Sequence, residues 1–222
     1  MAVTENGPGG NHRGKLGNVV YYMLNGKNVS REIGVTTKPP TELQLKYRME
    51  TKLCSGLLRR LLDFINTGFG IQAIRARDNA FNQAVKYNKK NIIKGSYPDL
   101  EIAYDQLLVS KGPLKPAQNW SVTPIPVGLQ YSWDTDPGMP WPEATDQVMM
   151  LAWFPKQEKV FFTLFGNSRL SGGDVLEISP SLQGEYMETY LSFIGANRKQ
   201  LADSTYTGSF NAESPEILQI NS

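Results

Sequence analysis

The chain holds one histidine, His12, and one cysteine, Cys54, in 222 residues. These two residue types carry much of the nucleophilic and metal chemistry available near neutral pH. A single cysteine forms no internal disulfide and no paired-thiolate metal site. His12 follows Gly7-Pro8-Gly9-Gly10, a stretch that would hold a general base poorly. A Ser-His-Asp or Cys-His device is therefore a poor fit. The expectation is a protein that is not an enzyme, with no cofactor and no metal.

Two letter patterns point to chemistry that their surroundings do not support. Gly68-Phe69-Gly70-Ile71-Gln72-Ala73 has the spacing of a dinucleotide fingerprint, but that motif needs a parallel strand before it. The preceding residues read as helix, so a helix-to-helix turn is expected. Asp134-Thr135-Asp136-Pro137-Gly138 opens like a calcium loop, yet Thr145 stands where position 12 needs a carboxylate. A turn between strands is the simpler reading. Pro137–Pro142 (PGMPWP) carries Trp141 on a stiff loop, where an indole can stack on a sugar or fill a partner's pocket. Lys86, Lys89, Lys90 and Lys94 share a helical face near Tyr87 and Tyr97 and are able to meet phosphate, although no reading motif accompanies them.

The elements that must position these residues fall into two textures. Hydrophobic residues make up 40% of the chain and charged residues 20%, enough to build a core and to exclude disorder throughout. No apolar run approaches the ~18 residues that cross a bilayer, and the polar start lacks the pattern of an export signal. Cytoplasmic synthesis without membrane insertion is expected. Charge is bipolar: residues 1–110 carry 16 basic and 9 acidic side chains, net +7, and residues 111–222 carry 7 and 12, net −5. Such a chain can attract copies of itself head to tail.

Residues 1–13 read as a flexible arm. Leu16–Leu24 and Lys27–Ile33 flank Asn25-Gly26, the strongest short hairpin signal, which sets Leu24 opposite Lys27, Tyr22 opposite Val29 and Val20 opposite Arg31. The first strand is apolar on both faces, Val20 and Tyr22 on one, Val19, Tyr21 and Met23 on the other. A lone hairpin is marginal in water, so these five residues are the candidate partner-binding set, on an exposed edge open to strand addition. After Pro39-Pro40, Thr41 and Gln44 form a capping box opening a helix to about Asn66. Its buried face is Leu43, Tyr47, Cys54, Leu57, Leu58, Leu61 and Ile65. A second helix is expected within about 76–93. Lys111–Pro116 reads as the boundary between a helical region, 1–110, and a β-sandwich, 111–222.

Beyond that boundary seven short runs recur between turns: Trp120–Pro124, Val127–Trp133, Gln147–Phe154, Lys159–Phe165, Asp174–Ile178, Tyr186–Ile194 and Ser204–Phe210. This spacing fits an antiparallel immunoglobulin- or fibronectin-like sandwich, with Trp133 and Trp153 as core aromatics. The fold expected is α+β: an N-terminal hairpin and basic helical segment, then the sandwich.

Gly14-Lys15-Leu16-Gly17-Asn18-Val19-Val20, Lys38-Pro39-Pro40-Thr41-Glu42-Leu43-Gln44, Phe64-Ile65-Asn66-Thr67-Gly68-Phe69 and Val109–Leu114 resemble a family of uncharacterised Bacteroidota proteins with an N-terminal hairpin, a helical segment and a β-rich second half. The first strand, with Tyr21 and Tyr22, is more aromatic than that pattern. The resemblance implies a fold and no activity.

These observations favour a structural or interaction protein, a subunit of a larger assembly such as a virion, an injection-type particle or a surface fibre. Its arm and hairpin would meet another copy or an assembly partner, and the protein would leave the cell only within a released particle. The rival is a carbohydrate-binding sandwich led by Trp141 and Trp153. A third reading, nucleic-acid binding by the basic helices, is the least favoured.

Overall fold

The computed structural model describes residues 2–5, 11–35 and 37–212, with backbone alone for residues 2–5 and 11. Two compact units divide between Gln44 and Leu45.

In the first unit β1 (Ala2–Glu5), β2 (Asn11–Leu16), β3 (Val19–Leu24) and β4 (Lys27–Glu32) form an antiparallel sheet in sequence order. Asn25 and Gly26 turn β3 into β4 at φ of 51° and 76°, the two positive values a type I′ turn demands. Leu24 faces Lys27, Tyr22 faces Val29 and Val20 faces Arg31, as expected. The flexible arm expected over residues 1–13 is corrected, with residues 1 and 6–10 outside the described set. Gly17 at φ 59° opens a second two-residue turn that lays Leu16 opposite Val19, so the arm supplies β2. β3 is therefore paired on both sides, and the exposed edge expected of it belongs to β4 instead. None of the side chains described over residues 12–45 is buried.

α1 (Glu42–Arg60) opens on a reciprocal cap: Gln44 N–H donates to the Thr41 hydroxyl at 3.3 Å, and Thr41 N–H donates to the Gln44 side chain at 3.1 Å. Its apolar face is shorter than expected. Cys54, Leu57 and Leu58 are buried, but Leu43 and Tyr47 are 58% and 53% exposed, because the core that takes this face begins at Cys54. α2 (Leu62–Gly68), α3 (Gly70–Ala76) and α4 (Ala80–Asn88) follow. The helix expected within about 76–93 is α4. Asn79 accepts from Asn82 N–H at 2.7 Å to start it, and β5 (Ile93–Ser96) with β6 (Asp99–Ile102) forms a hairpin beyond it.

The seven expected runs are the seven sandwich strands: β7 (Ser121–Ile125), β8 (Gly128–Ser132), β9 (Gln147–Phe154), β10 (Lys159–Thr163), β11 (Gly173–Glu177), β12 (Met187–Ile194) and β13 (Thr205–Phe210). One sheet runs β11-β8-β7 and the other β10-β9-β12-β13, all antiparallel. The fourth strand pairs with the third rather than the fifth, the fibronectin-type variant of the immunoglobulin-like sandwich. The protein is α+β.

β9 and β12 explain how helices and sandwich join. Val148, Met150, Ala152, Phe154, Leu191 and Phe193 face the other sheet, with Leu129, Tyr131, Trp133 and Leu176. Met149, Leu151, Trp153, Tyr190 and Ile194 face the opposite way, into a second core with Cys54, Leu58, Leu61, Phe64, Ile65 and Phe69. A strand buried on both faces reads as a continuous apolar run, which is why VMMLAWF lacks alternation. The helices are thus a third layer on the sandwich. Residues 111–116 lie within the second unit: Lys111 N–H donates to Gly68 carbonyl at 3.0 Å, Ser110 hydroxyl to Ser192 hydroxyl at 2.7 Å, and Gly112 N–H to Asp203 at 2.9 Å. A Cβ on Gly68 would strike the Val109 carbonyl, so the segment lies directly on the helix end.

Candidate interaction surfaces

Of the residues that could carry chemistry, Cys54 packs in the core and Gly68, Gly70, Asp134 and Asp136 lie in turns. Cys54 is fully buried, and burial pushes its thiol up to about 11, so it is protonated and unreactive near neutral pH. His12 lies on β2 with its ring 5.6 Å from Tyr21. Gly68 ends one helix and Gly70 begins the next, the helix-to-helix turn expected. Asp136 accepts from Gly138 N–H at 2.8 Å and Asp134 from the Asn119 amide at 2.5 Å, which makes 134–138 a hydrogen-bonded turn. Among the described residues no cluster of three or more His, Cys, Asp or Glu is placed to hold a metal. The four lysines expected on one helix face are dispersed: the helix stops at Asn88, Lys89 lies 5.6 Å from the Tyr47 ring, and Lys94 is on β5 paired with Glu101 at 3.6 Å.

The loop end of the sandwich is built on a buried ion pair. The Arg169 guanidinium reaches Asp146 at 3.3 Å and donates to Lys115 carbonyl at 2.8 Å, and it stacks 3.7 Å from the Phe193 ring centre. The Trp133 indole donates to Arg169 carbonyl at 2.7 Å. Burial pushes the Asp146 carboxyl above its ordinary range and lowers Arg169, each opposed by the other's charge. The pair pins the ends of three strands. Over it open two clefts of about 430 and 310 Å³, which share Lys115, Pro140 and Glu143. Lys115 and Glu143 pair across the shared wall at 3.2 Å. Trp141, between cleft-lining Pro140 and Pro142, is 76% exposed. Trp153, expected to join it in holding a ligand, is instead buried in the core between helices and sheet, because its position on β9 points away from the sandwich interior.

A third polar group went unread in the sequence. Glu188 is buried on β12 and accepts from Tyr206 hydroxyl at 2.6 Å and from Tyr186 hydroxyl. Burial raises both phenols and the neighbouring carboxylate raises them further, so they remain donors. Tyr190 donates to Tyr104 carbonyl at 2.8 Å and lies 5.6 Å from the Tyr206 ring. This clasp ties β12 to β13 and to the segment before β7. Glu188, the one charged residue of β12, was its only sequence signal.

The first unit is of another kind. Val19, Val20, Tyr21, Tyr22 and Met23 are all half-buried on β3, and Leu16 and Leu24 at its borders are 63% and 52% exposed. The strand carries apolar side chains on both faces, and neither face is sealed.

Fold and surfaces together define an α+β protein in which an open N-terminal sheet precedes a helix-backed, immunoglobulin-like sandwich. The chain belongs to the Family of unknown function (DUF6266), whose model matches residues 11–208. No curated protein matches it.

Proposed function

We propose that this chain is a structural interaction protein, a subunit of a larger assembly such as a virion, an injection-type particle or a surface fibre. Its N-terminal sheet is the contact element. The observation that carries the reading is the unsealed sheet: a sheet with apolar faces gains stability only when another layer covers it. Within residues 12–45 no described side chain reaches the burial common in the rest of the chain. Stable association buries about 1,600 Å² in total, a scale a four-stranded sheet can supply. Light scattering on the eluting full chain at low and high salt, beside a variant lacking residues 1–33, tests it. The full chain is expected to associate and the truncated chain to run as a monomer. A monomeric full chain at every concentration overturns the proposal.

The second reading, a carbohydrate-binding sandwich, draws on Trp141 standing 76% exposed beside two clefts. A glycan array with the full chain and with Trp141→Ala tests it, and binding to no sugar removes it. The Bacteroidota ancestry read from Gly14–Val20, Lys38–Gln44, Phe64–Phe69 and Val109–Leu114, and release from the cell within a particle, belong to the same proposal.

A further inference from the structure

We infer that the basic face of the N-terminal sheet docks on the acidic 134–141 loop of a second copy of the chain, joining subunits head to tail. The inference rests on the assembly reading above and names its partner and its contact.

Strand register sorts the basic residues of β2, β3 and β4 onto one face. Opposite residues in antiparallel strands point to the same side. Lys15 faces Val20, which faces Arg31, and Leu24 faces Lys27. His12 packs near Tyr21 on the other side, so Arg13, one residue on, joins Lys15. Arg13, Lys15, Lys27 and Arg31 are all the basic residues of β2, β3 and β4, and all four are exposed on this one face, around Val20, Tyr22 and Val29. The acid within these strands, Glu32, lies opposite Val19 on the other face. None of the four cations makes an ion pair among the described residues. Nothing in local strand stability calls for this segregation.

The sandwich carries the complement. Between Lys115 and Lys156 the chain has no basic residue, while it has Asp134, Asp136, Glu143 and Asp146. Asp146 is consumed by Arg169 and Glu143 by Lys115. Asp134 and Asp136 remain exposed, their oxygens held in place by Asn119 and Gly138. Beside them stand half-buried Met139 and exposed Trp141. Two fixed carboxylates next to a rigid indole match four cations around Tyr22 and Val20. The Trp141 ring can take a sheet cation on its face while the carboxylates take the others. A second copy is the partner the observations favour over nucleic acid, because one chain carries both halves in matched chemistry. A contact between unlike patches builds a ring or a filament, as an assembly subunit requires.

The test uses full-length chains and sedimentation velocity. Lys15→Glu/Arg31→Glu removes the sheet half and Asp134→Lys/Asp136→Lys removes the loop half. Each variant alone is expected to associate about tenfold or more weakly than the native chain. An equimolar mixture is expected to recover a dimer that grows no further, since the loop variant's intact sheet meets the sheet variant's intact loop once. Should the lysine pair disturb the turn, seen as a lowered melting temperature, Asp134→Asn/Asp136→Asn keeps the acceptors and removes the charge, with the same weakening expected. If the sheet variant is monomeric while both loop variants associate as the native chain does, the inference falls and the assembly reading stands. A native chain that never associates sinks both. Binding of duplex or single-stranded DNA that is lost in the sheet variant, with no self-association, overturns the inference in favour of a nucleic-acid partner.

Discussion

β3 and β9 are both apolar strands flanked on each side by a partner, and they end in opposite conditions. Every residue of β9 from Val148 to Phe154 is buried, because one face meets the β11-β8-β7 sheet and the other meets α1 to α4. No residue of β3 is buried, although Val19-Val20-Tyr21-Tyr22-Met23 is as apolar in composition. The difference is the number of layers. Composition creates the demand for burial and only neighbouring layers meet it. The second unit meets it internally, and the first unit's own layer does not.

The sharpest way to break this contrast is to remove packing from both strands. Trp153→Ala is expected to cost about 3–5 kcal/mol, from lost burial and the cavity left between helices and sheet, while Tyr22→Ala is expected to change stability by less than about 1 kcal/mol. Urea unfolding followed by circular dichroism measures both. Equal losses would mean that β3 is packed as β9 is.

Arg169→Ala tests whether the buried ion pair holds the loop end. Its removal leaves Asp146 buried and uncompensated, with an expected loss of about 3–5 kcal/mol at neutral pH. The deficit should shrink in acid. Burial already raises the Asp146 carboxyl, and without Arg169 nothing there opposes that rise. A carboxyl whose folded pKa exceeds its unfolded value binds more protons when folded, so stability grows as pH falls through the folded value toward the unfolded one. Urea midpoints for both proteins from pH 7 down to pH 4 check the sign, and a constant gap refutes the account.

Smaller effects are expected at the cap of α1 and on the first sheet. Thr41→Ala removes one side of the cap on α1 and is expected to cost about 1 kcal/mol. Val20→Ser, on the basic face of the sheet, is expected to shift the melting temperature little, yet to weaken self-association measurably. A large thermal loss with unchanged association would place Val20 in a sealed core.

Elements with strong local chemistry were legible in the sequence. Asn25-Gly26 and its register are set by the positive φ of two adjacent residues, and the seven sandwich strands stand between Gly, Pro, Asn and Asp turns. β2 was missed because Gly17-Asn18 turns on a single positive φ, a weaker signal after a Gly-rich start. The β5–β6 hairpin lies just past the expected helix, and its strands are too short to carry an alternation that marks them. The contact of Arg169 with Asp146 spans 23 residues between two loops and leaves no periodic trace. Trp141 was found by its prolines. The Glu188 clasp gathers Tyr186 and Tyr206 from two strands, and no local pattern joins them.

The seven sandwich strands, the Asn25-Gly26 turn, the start of α1 and the side on which each residue of β3 lies were settled by the sequence alone, since backbone preference and side-chain alternation are properties of short segments. Only the tertiary structure decided that the helices back the sandwich rather than stand apart, that Trp153 packs against those helices rather than inside the sandwich, and that no residue of β3 is buried. Burial depends on which distant surfaces meet, and that depends on the whole chain at once.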